Sequence, residues 1–149
     1  IIYTKNKHLI SGTDEDIKIY TLNLKEKSYN LFQTLNIHKN LVLMLLELSN
    51  GKIASSAYDS KIIIYDFKKN KYEAEITLDF GTRGEEWIIE TTNNEICGSS
   101  TYDYLLGFWS INNYQFTKIA LPVNQGTGVL CMVSKELMAV LNLTEFGFV

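Results

Sequence analysis

One arrangement of short strands and turns recurs along this chain every 43 to 45 residues. The clearest copies read HLISGTDEDIKIY from His8 to Tyr20, KIASSAYDSKIIIY from Lys52 to Tyr65, and EICGSSTYDYLLGFW from Glu95 to Trp109. Each joins an apolar strand, small Ser or Gly residues, an acidic turn, and a second apolar strand that ends in an aromatic. The aromatics Tyr20, Tyr65 and Trp109 lie 45 and 44 residues apart, and the loop positions Asn40, Gly84 and Gly128 lie 44 and 44 apart. Segments between turns are 4 to 8 residues long and rich in Ile, Val, Leu, Tyr and Phe. None sustains a 3.6-residue period, so no helix is expected.

A repeat of this length with several strands per unit is the mark of a propeller blade. The register predicts an innermost strand at Ile1 to Thr4, Leu41 to Leu48, Trp87 to Thr91 and Val129 to Val133. It runs the second strand through Leu9, Ile53, Ile96 and Leu137. The third strands are IKIY, KIIIY, LLGFW and FGFV, and the fourth are YNLFQTL, YEAEITL and FTKIAL. LNLKEKS, DFKKNK and SINNYQ read as polar hairpin connections. Between units run NIHKN, DFGTRGE and LPVNQGTG, where glycine loosens the backbone and Pro122 stops a strand. The expected fold is all-β: an incomplete propeller of four-stranded antiparallel blades at about 1–36, 37–80, 81–122 and 123–149, forming one domain. Closed rings of this kind hold roughly 4 to 8 blades. The 149 residues are therefore expected to aggregate or stay loosely folded alone, with the remaining blades in a parent chain.

Charge and apolar content narrow the partners. With 14 basic against 17 acidic residues and a net charge of −3, the chain has no overall basic field for nucleic acid or an anionic membrane. The longest apolar run, LVLMLLEL, is too short to span a bilayer and carries Glu47. Starting on Ile1, the sequence shows no charged region leading into a cleavable apolar segment, so no secretory signal is expected. Cys97 and Cys131 stand alone, without CxxC spacing, and are expected to be reduced core residues in a cytoplasmic chain. His8 and His38 are 30 residues apart with no second ligand at metal spacing, so no metal is expected. The glycine loops lack the GK[ST] ending of a phosphate cradle, and no cofactor is expected. Asn142, Leu143 and Thr144 spell a glycosylation acceptor inside an expected strand, which is read as a chance match.

These copies resemble WD40 repeats, over nearly the whole chain. That pattern links an early histidine, a serine ending the second strand, an aspartate in the next turn and a tryptophan in the third strand. The second copy matches at His38, Ser55, Asp59 and Tyr65, and the third at Ser99, Asp103 and Trp109. Serine and aspartate precede the aromatic by 10 and 6 residues in both. The first copy keeps Asp14, while Ser11 falls one position out of step. Departures are Ile37 in place of the usual glycine before the histidine, Tyr for Trp twice, and Thr21 and Ser110 for the aspartate after the aromatic. Such a set pairs the polar groups of a turn between buried strands, and a carboxylate can accept from several donors at once. Ser55, His38 and Asp59 also have the composition of a hydrolase triad, but SSAYDS lacks the GxSxG elbow.

The resemblance implies two loop faces. One would carry Asp14, Glu15, Asp16, Tyr58, Arg83, Tyr102 and Tyr104, of which Tyr58, Arg83, Tyr102 and Tyr104 are the expected partner-binding residues. The opposite face would carry Lys25, Lys27, Lys68, Lys69 and Lys71, read as a solvated rim open to an acidic partner. The expected function is a non-catalytic scaffold for other proteins. The alternative is a targeting propeller within a larger enzyme or ubiquitin-ligase chain. A hydrolase with its site in the channel ranks last, because the innermost strands offer mainly Glu47, Glu85, Glu86 and Glu90.

Overall fold

The computed structural model of the chain describes residues 1–79, 86–100, 105–120, 129–132, 138–141 and 146–148. Every regular element among them is a β-strand. The first sheet holds β1 (Ile2–Tyr3), β2 (His8–Gly12), β3 (Ile17–Asn23) and β4 (Ser28–Leu35). The second holds β5 (Val42–Glu47), β6 (Ile53–Ala57), β7 (Lys61–Lys68) and β8 (Lys71–Asp79). The third holds β9 (Glu86–Glu90), β10 (Glu95–Ser100), β11 (Leu105–Ser110) and β12 (Phe116–Ala120). A fourth contains β13 (Val129–Met132), β14 (Met138–Leu141) and β15 (Phe146–Phe148). Each sheet is antiparallel with its strands in chain order, and the first strands of successive sheets pack side by side. The result is an all-β, open arc of propeller blades.

Why the middle strands are so apolar follows from stacking, since a central sheet has a neighbour on both faces. In β7 the residues Ile62, Ile63, Ile64 and Tyr65 are all buried. Alternation sends Ile63 and Tyr65 to a core shared with Ile10, Ile17 and Ile19 of the first sheet. Ile62 and Ile64 join Ile88, Ile96 and Trp109 of the third. Each fully buried isoleucine contributes about 2 kcal/mol of transfer free energy. The outer strand β8, with one wet face, alternates instead between buried Tyr72 and exposed Glu73.

The turn from innermost to second strand repeats closely. Thr4, Leu48 and Thr91 accept at their carbonyls from the N–H groups of Lys7, Gly51 and Asn94. These donors have φ of 62°, 85° and 61°, so the geometry wants glycine or asparagine and holds a lysine in the first sheet.

In the first two sheets the third-to-fourth connections are tighter than the sequence suggests. Leu22 and Asn23 pair with Tyr29 and Ser28, and Asp66 and Phe67 pair with Glu73 and Tyr72, so much of LNLKEKS and DFKKNK is strand. Lys69 and Asn70, both at positive φ, alone turn the β7–β8 hairpin. A two-residue turn of that hand matches the twist of the strands, which lets the ladder run to its end. Bulges at Ile19/Tyr20 and Ile64/Tyr65 leave Phe32 and Glu75 outside the ladders. Phe32 stacks on His8 at 4.6 Å, and Glu75 pairs with Lys52 at 2.7 Å. Both bulges thus send a side chain to the seam with the following sheet, where Phe67 and Tyr114 meet them.

Candidate functional site

The turn between β6 and β7 brings His38, Ser55 and Asp59 together. Ser55 Oγ–H donates to His38 Nε2 at 2.7 Å. His38 Nδ1–H donates to Asp59, with both carboxylate oxygens at 3.1 Å. An ionised carboxylate only accepts, so the imidazole proton must sit on Nδ1. Asp59 also accepts from the backbone N–H of Lys39 at 2.9 Å and of Lys61 at 3.2 Å. One carboxylate thereby ties the incoming 36–41 segment to the β6–β7 turn.

Tyr65 lies on the Ser55 face of the sheet, two ladder steps away. Its hydroxyl is buried with no hydrogen-bond partner. Burial pushes that phenol up to about 12, and the nearby Ser55 hydroxyl, which works the other way, does not reach hydrogen-bond geometry. A buried polar atom left unpaired costs about 1 to 3 kcal/mol. Tyr65→Phe is therefore expected to raise stability by about 1 kcal/mol in a denaturant titration. A loss of that size would mean that the hydroxyl holds a bond after all.

Histidine protonation sets an acid limit on this frame. Burial, the largest influence, lowers the His38 pKa from the ordinary 6.5, and Asp59 opposes the shift without cancelling it. Burial lowers the His8 pKa as well. Unfolded histidines take up protons as pH falls through 6.5 while these two resist, so their stabilising effect is complete above that pH and is lost below it. Thermal unfolding should move to lower temperature between pH 7.5 and pH 5.5. An unchanged or rising midpoint across that window contradicts the assignment.

The third sheet does not repeat the constellation among its described residues. Ser99 pairs with Leu106, on the face of Cys97, whereas Trp109 pairs with Ile96 on the other face. The ladder places Ser99 in line with Ser56 and Gly12, which pair with Ile62 and Ile17. Its Oγ is buried without a partner among the described residues. Ser11, out of step by residue count, occupies the ladder position of Ser55. Counting back from the aromatic includes a turn whose length differs by one residue between sheets, and a one-residue slip moves a side chain to the opposite face. Asp103, Arg83, Tyr102 and Tyr104 lie outside the described residues. Tyr58 is 40% exposed.

The chemistry open to these groups is limited by access. Ser55 to His38 to Asp59 has the connectivity of a nucleophile, base and orienting acid. Ser55 is 0% exposed, enclosed by its own sheet and the first one, so no substrate carbonyl can approach its Oγ. Glu47 and Glu90, the innermost-strand acids, are also engaged. The Glu47 carboxylate accepts from Lys5 N–H at 2.9 Å, and Glu90 accepts from Ser49 N–H at 2.7 Å. These matching bonds stitch the second sheet to the first and the third to the second. Spacings of 43 and 44 residues signal the pairs in the sequence. Gln33, by contrast, carries no such signal, yet its side-chain amide bonds both the N–H and the C=O of Tyr72 at 2.8 Å. Among the described residues no cluster of His, Cys, Asp and Glu is arranged for a metal ion. Burial pushes the Cys97 thiol up to about 12, with Glu95 adding to the shift.

Neither a protein-family profile nor a curated protein matches the sequence. Solved structures do match the fold. The β-propeller domain of Cps50 (Swd1) from Myceliophteria thermophila superposes with a TM-score of 0.76 at 16% identity, over 97% of this chain and 47% of that one. The WD40 β-propeller domain of Doa1 gives 0.69 at 18% identity, over 89% of this chain and 43% of that one. The chain spans less than half the length of either. Strand order, sheet stacking and these superpositions together show that the chain has the fold of a WD40-type β-propeller, of which it forms an open arc.

Proposed function

We propose that this chain is part of a non-catalytic platform on which other proteins assemble. The observation that carries the reading is an aromatic side chain presented on a fixed turn. Tyr58 is 40% exposed beside Asp59, and its own N–H bonds Leu41 O at 3.0 Å. Asp59 binds the two flanking segments, so the turn enters a complex with little ordering left to do. Exposed tyrosine on a rigid support is favoured at the centre of protein interfaces. Arg83, Tyr102 and Tyr104 belong to the same proposed surface. An intracellular, reducing setting is part of this reading. The test is capture of cross-linked partners in cells by the full-length protein, compared with Tyr58→Ala. A discrete set of proteins that falls away in the variant is expected; identical capture by both proteins overturns this choice of surface.

A further inference from the structure

The opposite end of the first two sheets gathers half of the chain's basic residues, with Glu47 at the end of β5 bonded to Lys5 N–H among them. Segments 5–7, 24–27 and 66–73 contain seven of its 14 basic residues and only three carboxylates, Glu26, Asp66 and Glu73. Antiparallel strand order puts the β1–β2 turn and the β3–β4 hairpin at one end of the first sheet. The β7–β8 hairpin joins them there, because His8 packs on Phe67 at 5.4 Å and on Tyr72 at 5.6 Å and bonds Tyr72 Oη at 3.1 Å. Lys7, Lys68 and Lys71 are the chain neighbours of those three rings. Lys68 pairs with Asp66 and Lys71 with Glu73, but Lys7, Lys25, Lys27 and Lys69 form no ion pair among the described residues.

Backbone geometry supplies a second, independent observation. Lys7, Lys27 and Lys69 have φ of 62°, 50° and 49°. Side chains other than glycine and asparagine adopt that conformation at a cost. At the position of Lys7 the second and third sheets use Gly51 and Asn94, so the fold itself does not ask for lysine. Unpaired cations placed where the backbone prefers other residues point to a role for the charge.

We propose that this lysine rim is a docking surface for an acidic segment of a partner protein. The third sheet limits its width, since Glu90 and Glu95 stand at the same end of that sheet. A bilayer or a long duplex would have to face these acids as well, in a chain of net charge −3. A peptide can follow the seam between two sheets. The absence of arginine from the three segments also removes the planar groups that stack on bases. Leu24, 77% exposed in the β3–β4 turn, offers the segment an apolar contact beside Lys25.

This surface rests on the platform reading but uses the other face, so the two can fail separately. The test is fluorescence anisotropy of a labelled oligoglutamate peptide with the full-length protein. One variant carries Lys7→Asn, Lys27→Asn and Lys69→Asn, which suit positive φ and keep the turns folded. A charge-matched control carries Lys18→Gln, Lys39→Gln and Lys61→Gln. Binding should weaken with added salt, fall about tenfold in the asparagine variant, and persist in the control. Equal binding by all three proteins overturns the proposal, as does lysine-rim binding to phosphatidylserine vesicles or duplex DNA without binding to the peptide. Peptide failure with Tyr58-dependent capture intact removes this inference alone; failure of both removes the platform reading.

Discussion

Replacing Asp59 by alanine should destabilise the protein by about 3 kcal/mol, one of the two largest effects expected of a single substitution outside the apolar core. The change strips three donors of their acceptor at once: His38 Nδ1–H and the backbone N–H groups of Lys39 and Lys61. His38 is only 5% exposed, so water cannot easily replace the lost partner. Asp59→Asn keeps one accepting oxygen and should lose roughly half as much. Denaturant unfolding of the full-length protein measures both. An alanine variant within about 1 kcal/mol of the parent would show that the bonds are worth no more than exposed ones.

The second large effect arises at a tight contact between two sheets. A Cβ built on Gly12 falls 2.6 Å from Val42 Cγ1 and 2.9 Å from Val42 Cβ. The same seam is held by a bond from Val42 N–H to Thr13 O at 3.1 Å. Val42 is buried and branched at Cβ, and so has few rotamers into which to retreat. Gly12→Val is expected to cost about 3 kcal/mol by overpacking. Adding Val42→Ala opens the space and should recover at least about 1 kcal/mol of it, as neighbouring sites that share a contact are not additive. Strictly additive losses in the pair would place the strain elsewhere. Ser56 and Ser99 take the ladder position of Gly12 in the next two sheets and are fully buried, which fits a site that admits only small residues.

That comparison shows where residue counting is reliable. Strand existence, type and order were legible because each strand carries its own short apolar run between polar turns, and the 44-residue register aligns one copy with the next. Asp59 and His38 were legible because both sit in the turns that the register preserves. Ser99 was misplaced for a local reason: the turn before Trp109 differs in length by one residue, and in a strand that reverses the face. The extent of the hairpin connections is hidden because Asp66 and Lys68 are polar, although their backbones complete the ladder whatever their side chains are.

The sequence by itself determined the repeat, the four-strand unit and the residues that can pair at the second turn, since these depend on local periodicity and on which side chains accept or donate. Only the tertiary structure decided how sheets meet. Gln33 on Tyr72, Glu47 on Lys5, Glu90 on Ser49 and Gly12 against Val42 are contacts between sheets. They depend on the stacking distance and twist of neighbouring blades, quantities that no single strand encodes. The lysine rim belongs to both: the resemblance already put Lys25, Lys27, Lys68, Lys69 and Lys71 on one face, and antiparallel pairing in the structure adds Lys5 and Lys7 of the β1–β2 turn at the same end.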